Sequence, residues 1–276
     1  MLTFPNAKIN IGLNVVSKRE DGYHNLETVF YPIPLHDNLE ISELCDSDDS
    51  YTIQVCGNRV DCPPEKNLVI KALMNFKHDF PEIPPIDVYL YKRIPTGAGL
   101  GGGSSDAAYM IRALNEEFSL NLSIEQMKSK ASKLGADCAF FIEDKPSFAT
   151  GIGDELTTID FSLKDYTLAL IKPAVAVSTA EAYRGVVPQP SSTNLLEDLQ
   201  RPVGEWRNFI KNDFEKSVFA AHPEIAAIKE TLYDMGAEYA SMSGSGSSVF
   251  GLFPHEIDNL KDIFPDCFVF QQRLDR

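Results

Sequence analysis

The chain has 276 residues, 43% hydrophobic and 24% charged, which suits a globular protein of one large or two ordinary domains. Its formal charge of −15 argues against nucleic acid as a partner and requires a local field to draw in any anionic ligand. Neither a long apolar run nor a charged-then-apolar leader is visible, so no membrane span or secretory signal is expected. The five scattered cysteines, without Cys-x-x-Cys spacing, suit reduced thiols in a cytoplasm.

Alternation of apolar and polar residues predicts strands over Ala7 to Val15 and Leu26 to Ile33, with the polar run Ser17 to Gly22 between them. Tyr51 to Val55 reads as a third strand. Leu68, Ala72, Leu73, Phe76 and Phe80 mark a helical face within Glu65 to Phe80. The strand-like Val88 to Ile94 then feeds PTGAGLGGGSSDAA, residues 95–108, and a helix is expected from roughly Ser104 to Phe118. Ser123 and Gln126 match a capping box, with Gly135 as the expected stop. Phe148 to Leu156 reads as strand, turn, strand, and TLALIKP after Tyr166 as another strand. Helices are expected over Trp206 to Phe219 and Glu224 to Met235. Glu238 to Phe253 reads as a strand pair around a second glycine-serine run. Strands and helices intermix without regular alternation, which favours an α+β fold.

The glycine-rich stretch is the densest chemical signal. Glycines at 97, 99, 101, 102 and 103 let backbone N–H groups approach an anion that side chains would block, and the following helix adds its positive end. No Gly-Lys-Ser/Thr closes it, so it is not a Walker A loop. A flexible linker has the same composition, but the flanking strand and amphipathic helix argue for a built phosphate cradle, with Lys92 and Arg93 available to supply positive charge. Lys8 within an apolar strand either lies on a solvated face or offers its charge to a phosphate. Asp137 in LGADCAFFI is either a helix N-cap or a general base for a hydroxyl. Asp21-Gly22 signals a hairpin turn, and the Tyr23-His24 pair beside it reads by itself as incidental. Ser243 to Ser248 reads by itself as a tight turn.

In this order, PNAKINIGL at Pro5 to Leu13, PTGAGLGGGSSDAA at Pro95 to Ala108 and SMSGSGSSVF at Ser241 to Phe250 resemble the kinases named for galactose, homoserine, mevalonate and phosphomevalonate. DGYHNLETVF, LGADCAFF, GIGDEL and NDFE look like the members that act on a cytidine-diphosphate-linked methylerythritol. The resemblance covers nearly the whole chain. It implies a two-domain small-molecule kinase, residues 1–157 binding ATP and carrying catalysis and 158–276 forming the second domain, with the active site in the cleft between domains. It also implies ATP and Mg²⁺ as cofactors and transfer of a phosphoryl group to the 2-hydroxyl of that substrate, in non-mevalonate isoprenoid precursor synthesis.

Carried over residue by residue, Lys8 and Asp137 match the catalytic pair. Asp137 would accept or orient the hydroxyl proton, and Lys8 would stabilise negative charge. Asn10, Tyr23, His24, Thr179 and Tyr183 match substrate contacts, Tyr183 standing where phenylalanine is common. Asn67, Leu68 and Lys92 match the adenine side of the nucleotide pocket. Pro95, Gly97, Gly99, Leu100, Gly101, Gly102, Gly103, Ser104 and Ser105 match the phosphate cradle, and Gly244, Ser245, Gly246 and Ser247 a second glycine loop. An aromatic pair, Tyr23 and Tyr183, with the imidazole of His24 is a sensible reader of a cytosine face and edge. A mevalonate or homoserine kinase would have no use for such a reader, and a non-catalytic binder no need for Lys8 and Asp137 together.

Overall fold

A computed structural model describes residues 1–45, 49–60, 62–191 and 193–275. The chain forms two compact units. One comprises Met1–Ala7, Leu35–Thr96 and Gly101–Lys145; the other comprises Lys8–Pro34, Gly97–Leu100 and Pro146–Arg276. Among the described residues no helix is long and apolar enough to cross a membrane.

The first unit is built on a four-stranded sheet ordered Leu2–Thr3, Asn38–Glu43, Ile86–Lys92, Tyr51–Gly57. Its pairs are antiparallel except the last, in which Ile53 lies opposite Val88 in parallel. The period of two along Ile86–Lys92 buries Ile86, Val88 and Leu90, and the same parity carries Lys92 inward while Asp87, Tyr89 and Tyr91 face solvent. The Leu68–Asp79 helix buries Val69, Ile70, Ala72, Leu73 and Phe76; the Gly102–Glu117 helix buries Ala107, Ala108, Met110, Ile111, Ala113 and Leu114. Each fully buried Leu, Ile or Phe contributes about 1.5–3 kcal/mol by leaving water. The Ile124–Ala131 helix opens with the expected capping box of Ser123 and Gln126, but its C-cap is Ser132 rather than Gly135, which instead opens a 3₁₀ turn at Ala136–Ala139.

The second unit carries two sheets. The strands Asn6–Lys18, His24–His36, Ser147–Thr150 and Glu155–Thr158 neighbour one another in that order. The other sheet is antiparallel throughout, ordered Tyr239–Met242, Val249–Phe253, Thr167–Lys172, Phe268–Arg273. The Glu215–Ala221 and Pro223–Asp234 helices contribute Val218, Ile225, Ile228 and Leu232 to the core, which also contains Ala169, Ile171, Val249 and Phe253. The single helix expected over Trp206 to Phe219 is broken. A 3₁₀ turn at Val203–Asn208 precedes the Glu215–Ala221 helix, and between them the chain is drawn out of helix by a single parallel bridge, Leu13 to Asn212, before turning at residues 213–214. Pairing across the molecule outweighs the local helical pattern there.

Candidate active site

The glycine stretch forms a loop whose alternate residues Gly97, Gly99 and Gly101 take φ of +59°, +73° and +69°, a region L side chains rarely occupy. Gly99 is also fixed by contact, since a Cβ there would meet the carbonyl oxygen of Ser243 at 1.9 Å. A Cβ at Gly97 would meet nothing, so the loop remains open on that side. Leu100 is buried and its carbonyl accepts the Lys8 N–H at 3.0 Å. Pro95 is half-buried ahead of the loop.

From Gly101, which is the N-cap, the Gly102–Glu117 helix begins with Gly102, Gly103, Ser104 and Ser105 and no acidic residue in its first turn. The first intrahelical bond runs from Ser105 N–H to Gly101 carbonyl at 2.8 Å, leaving the earlier N–H groups to an external acceptor. Gly102 is held close to Ile94, 2.9 Å from where a Cβ would sit, whereas Gly103 is exposed with only the Leu68 side chain at 3.8 Å. Ser105 Oγ is buried and has no hydrogen-bond partner among the described residues. A bare, positively polarised first turn with an uncommitted hydroxyl beside it fits the phosphates of a nucleotide.

The turn that carries Asp137 packs beside the same helix end. It is the second residue of the Ala136–Ala139 turn, whose N-cap is Gly135, so it is not an N-cap itself. A Cβ on Gly135 would lie 3.4 Å from Cys138 Sγ and 3.9 Å from Ser104 Oγ, which packs this turn against the first turn of the helix. Burial pushes the Cys138 thiol up to about 11, opposed by a hydrogen bond with Ser104 and assisted by the negative charge of Asp137. Asp137 is half-buried.

Asn67 caps the Leu68–Asp79 helix, its side chain accepting the Val69 N–H at 3.0 Å. Lys92, carried inward by strand parity, is 3% exposed and donates to Asp37 and to Asp106, the latter at 2.5 Å. Asp37 also accepts the N–H groups of Arg93 and Ile94 at 2.5 and 2.8 Å. Burial works to lower the Lys92 pKa, but the two carboxylates outweigh it and hold it above its ordinary value. Burial, with Asp37 adding repulsion, raises Asp106 to about 7 against the pull of Lys92. The charge that the sequence offers to a phosphate is thus engaged in a buried triad, which braces the strand end and the helix after the loop. Asp37 lay in no quoted motif; Asp106 lay within the glycine-rich block without a role assigned to it, its signal a carboxylate on the apolar side of a helix.

Within the second unit, Lys8 is 3% exposed, which excludes the solvated face. Its Nζ donates to Asn10 Oδ1 at 2.6 Å and lies 4.7 Å from the Phe30 ring centroid. Asn10 donates its backbone N–H to Ser243 Oγ at 3.2 Å and its side-chain amide to Thr28 Oγ1 at 3.0 Å; Ser243 Oγ in turn donates to the Gly99 carbonyl at 2.9 Å. Lys8, Asn10, Gly99 and Gly244 are therefore brought together, and a Cβ on Gly244 would stand 3.1 Å from Asn10 Oδ1. Gly246 has φ +88°, Ser245 is half-buried, and Ser247 donates to the Val175 carbonyl at 2.6 Å. Asn212 ties this run down through Nδ2 bonds to the carbonyls of Met242 and Gly244. Ser243, Thr28 and Asn212 have structural parts that no motif assigned.

The Tyr183 ring stacks on His24 with centroids 4.7 Å apart and planes 23° apart, and meets Phe214 edge-on at 4.7 Å. The stacked partner is thus His24 and not Tyr23. Tyr23 is 60% exposed, its N–H bonded to Asp21 Oδ1 in the turn that precedes the strand. Thr179 is exposed at the start of the Thr179–Arg184 helix, after the cap Ser178.

Residues 67–145 match the family described as GHMP kinases N terminal domain, and residues 194–269 match GHMP kinases C terminal. With the glycine loop and the helix it opens, these matches define the class: the chain belongs to the GHMP kinase family. It is 55% identical over 274 residues to a 4-diphosphocytidyl-2-C-methyl-D-erythritol kinase of Bacteroides fragilis, covering 99% of this chain and 100% of the relative. A Parabacteroides distasonis protein of the same description is 54% identical over 275 residues, with 99% and 100% covered. A crystal structure of 4-(cytidine 5'-diphospho)-2C-methyl-D-erythritol kinase superposes with a TM-score of 0.80 at 29% identity, covering both chains fully.

Proposed function

We infer that this chain is an ATP-dependent kinase that phosphorylates the 2-hydroxyl of 4-diphosphocytidyl-2-C-methyl-D-erythritol, releasing ADP, in isoprenoid precursor synthesis. The 55% identity to kinases of that description supports the substrate. The observation that carries the chemistry is the packing of the Asp137 turn on Ser104, at the open end of a glycine-cradled helix. The two family matches fall on either side of residue 157, which supports a division of the sequence into 1–157 and 158–276, although the compact units group Lys8–Pro34 and Gly97–Leu100 with Pro146–Arg276.

Phosphoryl transfer depends on positioning and charge neutralisation more than on covalent help from the protein. The backbone N–H groups of Gly102, Gly103 and Ser104 bind the phosphates, with Gly244 to Ser247 as a second glycine loop. Asn67, Leu68 and Lys92 are assigned to the adenine side, Lys92 through its brace on the loop. Magnesium, when bound with the nucleotide, would supply neutralisation of phosphate charge, and the Ser105 hydroxyl, buried without a hydrogen-bond partner among the described residues, would suit a place beside it. Asp137 accepts or orients the proton of the acceptor hydroxyl. Lys8, oriented by Asn10, stabilises the developing negative charge. Tyr183, His24 and Tyr23 read the cytosine, with Thr179 beside them. Unpaired thiols at Cys45, Cys56, Cys62, Cys138 and Cys267 suit a reducing cytoplasm.

The test is ADP release by purified protein with the cytidyl compound, mevalonate, homoserine and galactose offered separately. ADP should form at an appreciable rate only with the cytidyl compound. Comparable or faster release with one of the other three would overturn the substrate assignment.

A further inference from the structure

A groove of about 690 Å³ lies in the second unit, lined by residues of the 185–189 and 207–216 segments with Lys229 and Tyr233. Four cations line it, Arg207, Lys211, Lys216 and Lys229, against two carboxylates, Asp213 and Glu215. Both carboxylates are committed. Glu215 pairs with Lys229 at 2.6 Å and accepts the Met242 N–H at 2.9 Å, while Asp213 accepts the Val15 N–H at 2.8 Å. Among the described residues Arg207, Lys211 and Lys216 form no ion pair. The described lining thus carries a net positive balance, four cations against two carboxylates, in a chain of charge −15.

The cations are set in place by backbone structure. Leu13 N–H bonds to the Lys211 carbonyl and Asp213 N–H to the Leu13 carbonyl, both at 2.8 Å, which fixes the segment carrying Lys211 and Lys216. Arg207 lies over the Tyr233 ring, its Cζ 4.7 Å from the centroid, a cation–π contact that uses the ring face and no carboxylate. The groove also has an apolar wall, Ile210 with Val187, the latter 80% exposed. Phe214 packs edge-on against Tyr183 and does not line the groove among the described residues, whereas Asp213, Glu215 and Lys216 do. Neither His24 nor Tyr183 is among its described lining residues.

We propose that this groove is a second anion site, binding a small organic phosphate with its phosphoryl group among Arg207, Lys211 and Lys216 and its apolar body against Val187. The site stands independently of the substrate assigned above.

Isothermal titration with phenyl phosphate and inorganic phosphate, on the full chain, tests it. Phenyl phosphate should bind more tightly than inorganic phosphate, and the double variant Lys211→Ala/Lys216→Ala should weaken it by roughly tenfold or more. The KM for ATP should stay at its parental value in that variant, because neither lysine belongs to the proposed catalytic site. No binding at millimolar phenyl phosphate, unchanged affinity in the double variant, or a loss matched by an equal rise in the KM for ATP would each overturn the proposal. Equal affinity for the two phosphates would remove the apolar body from it.

Discussion

Replacing Asn212 by alanine tests how the second glycine run is held. Asn212 is 3% exposed; its Nδ2 donates to the carbonyls of Met242 and Gly244, both at 2.8 Å, and its Oδ1 accepts the Phe214 N–H at 3.0 Å. Truncation removes three bonds, each with a net worth of about 0.5–1.5 kcal/mol, and leaves the Phe214 N–H and the Gly244 carbonyl short of partners in a dry site. The expected loss is therefore about 2–5 kcal/mol. For a chain of this length that corresponds to a fall in Tm of roughly 3–9 °C. Urea unfolding followed by circular dichroism gives the change from the shift in midpoint at constant slope. Turnover measured below the transition should also show a raised KM for ATP, because Gly244 is no longer pinned. Asn212→Asp keeps the acceptor but sets a carboxylate against two carbonyls, so it should be at least as damaging. A loss under about 0.5 kcal/mol in the alanine variant would mean that water replaces all three bonds, and that the side chain does not fix the loop.

The proposed role of Asp137 predicts that Asp137→Asn lowers kcat by roughly two to four orders of magnitude; steady-state ADP release at the parental rate would remove it from the reaction. His24→Ala and Tyr23→Ala should raise the KM for the cytidyl substrate with little change in the KM for ATP, whereas Tyr183→Phe, which keeps the stacked ring, should leave both near parental values. Equal weakening of both ligands by either alanine variant would move that residue out of substrate recognition. Asp106, raised to about 7 in the folded chain from an ordinary 3.8, binds a proton over that interval that the unfolded chain has released. Its contribution to stability therefore falls as pH rises from about 4 to about 7 and levels beyond. Urea midpoints across that range should lose this slope in Asp106→Asn, and an unchanged slope would assign the dependence elsewhere.

Much of this molecule is written locally. Glycine spacing specifies a loop with alternate left-handed residues and an open helix end, because only glycine tolerates that backbone without cost. Period-two and helical patterns located the main strands and helices, and Ser123 with Gln126 announced its own cap. The buried environment of Lys92 was half legible: parity with Ile86, Val88 and Leu90 carries it inward, but nothing nearby in the chain says that Asp37 and Asp106 receive it. The break within residues 206–219 was not legible at all, since its cause is Leu13, far away in sequence.

Tertiary structure alone made His24 the stacking partner of Tyr183, set Phe214 against the other side of that ring, and linked Asn10 to Gly99 through Ser243. It also brought Arg207, Lys211, Lys216 and Lys229 around one groove in a strongly acidic chain. The division has a physical cause. Backbone conformation and side-chain periodicity are properties of a few neighbouring residues, whereas the partner of a buried charge, ring or amide is whichever distant group the packed chain delivers within hydrogen-bonding or van der Waals reach.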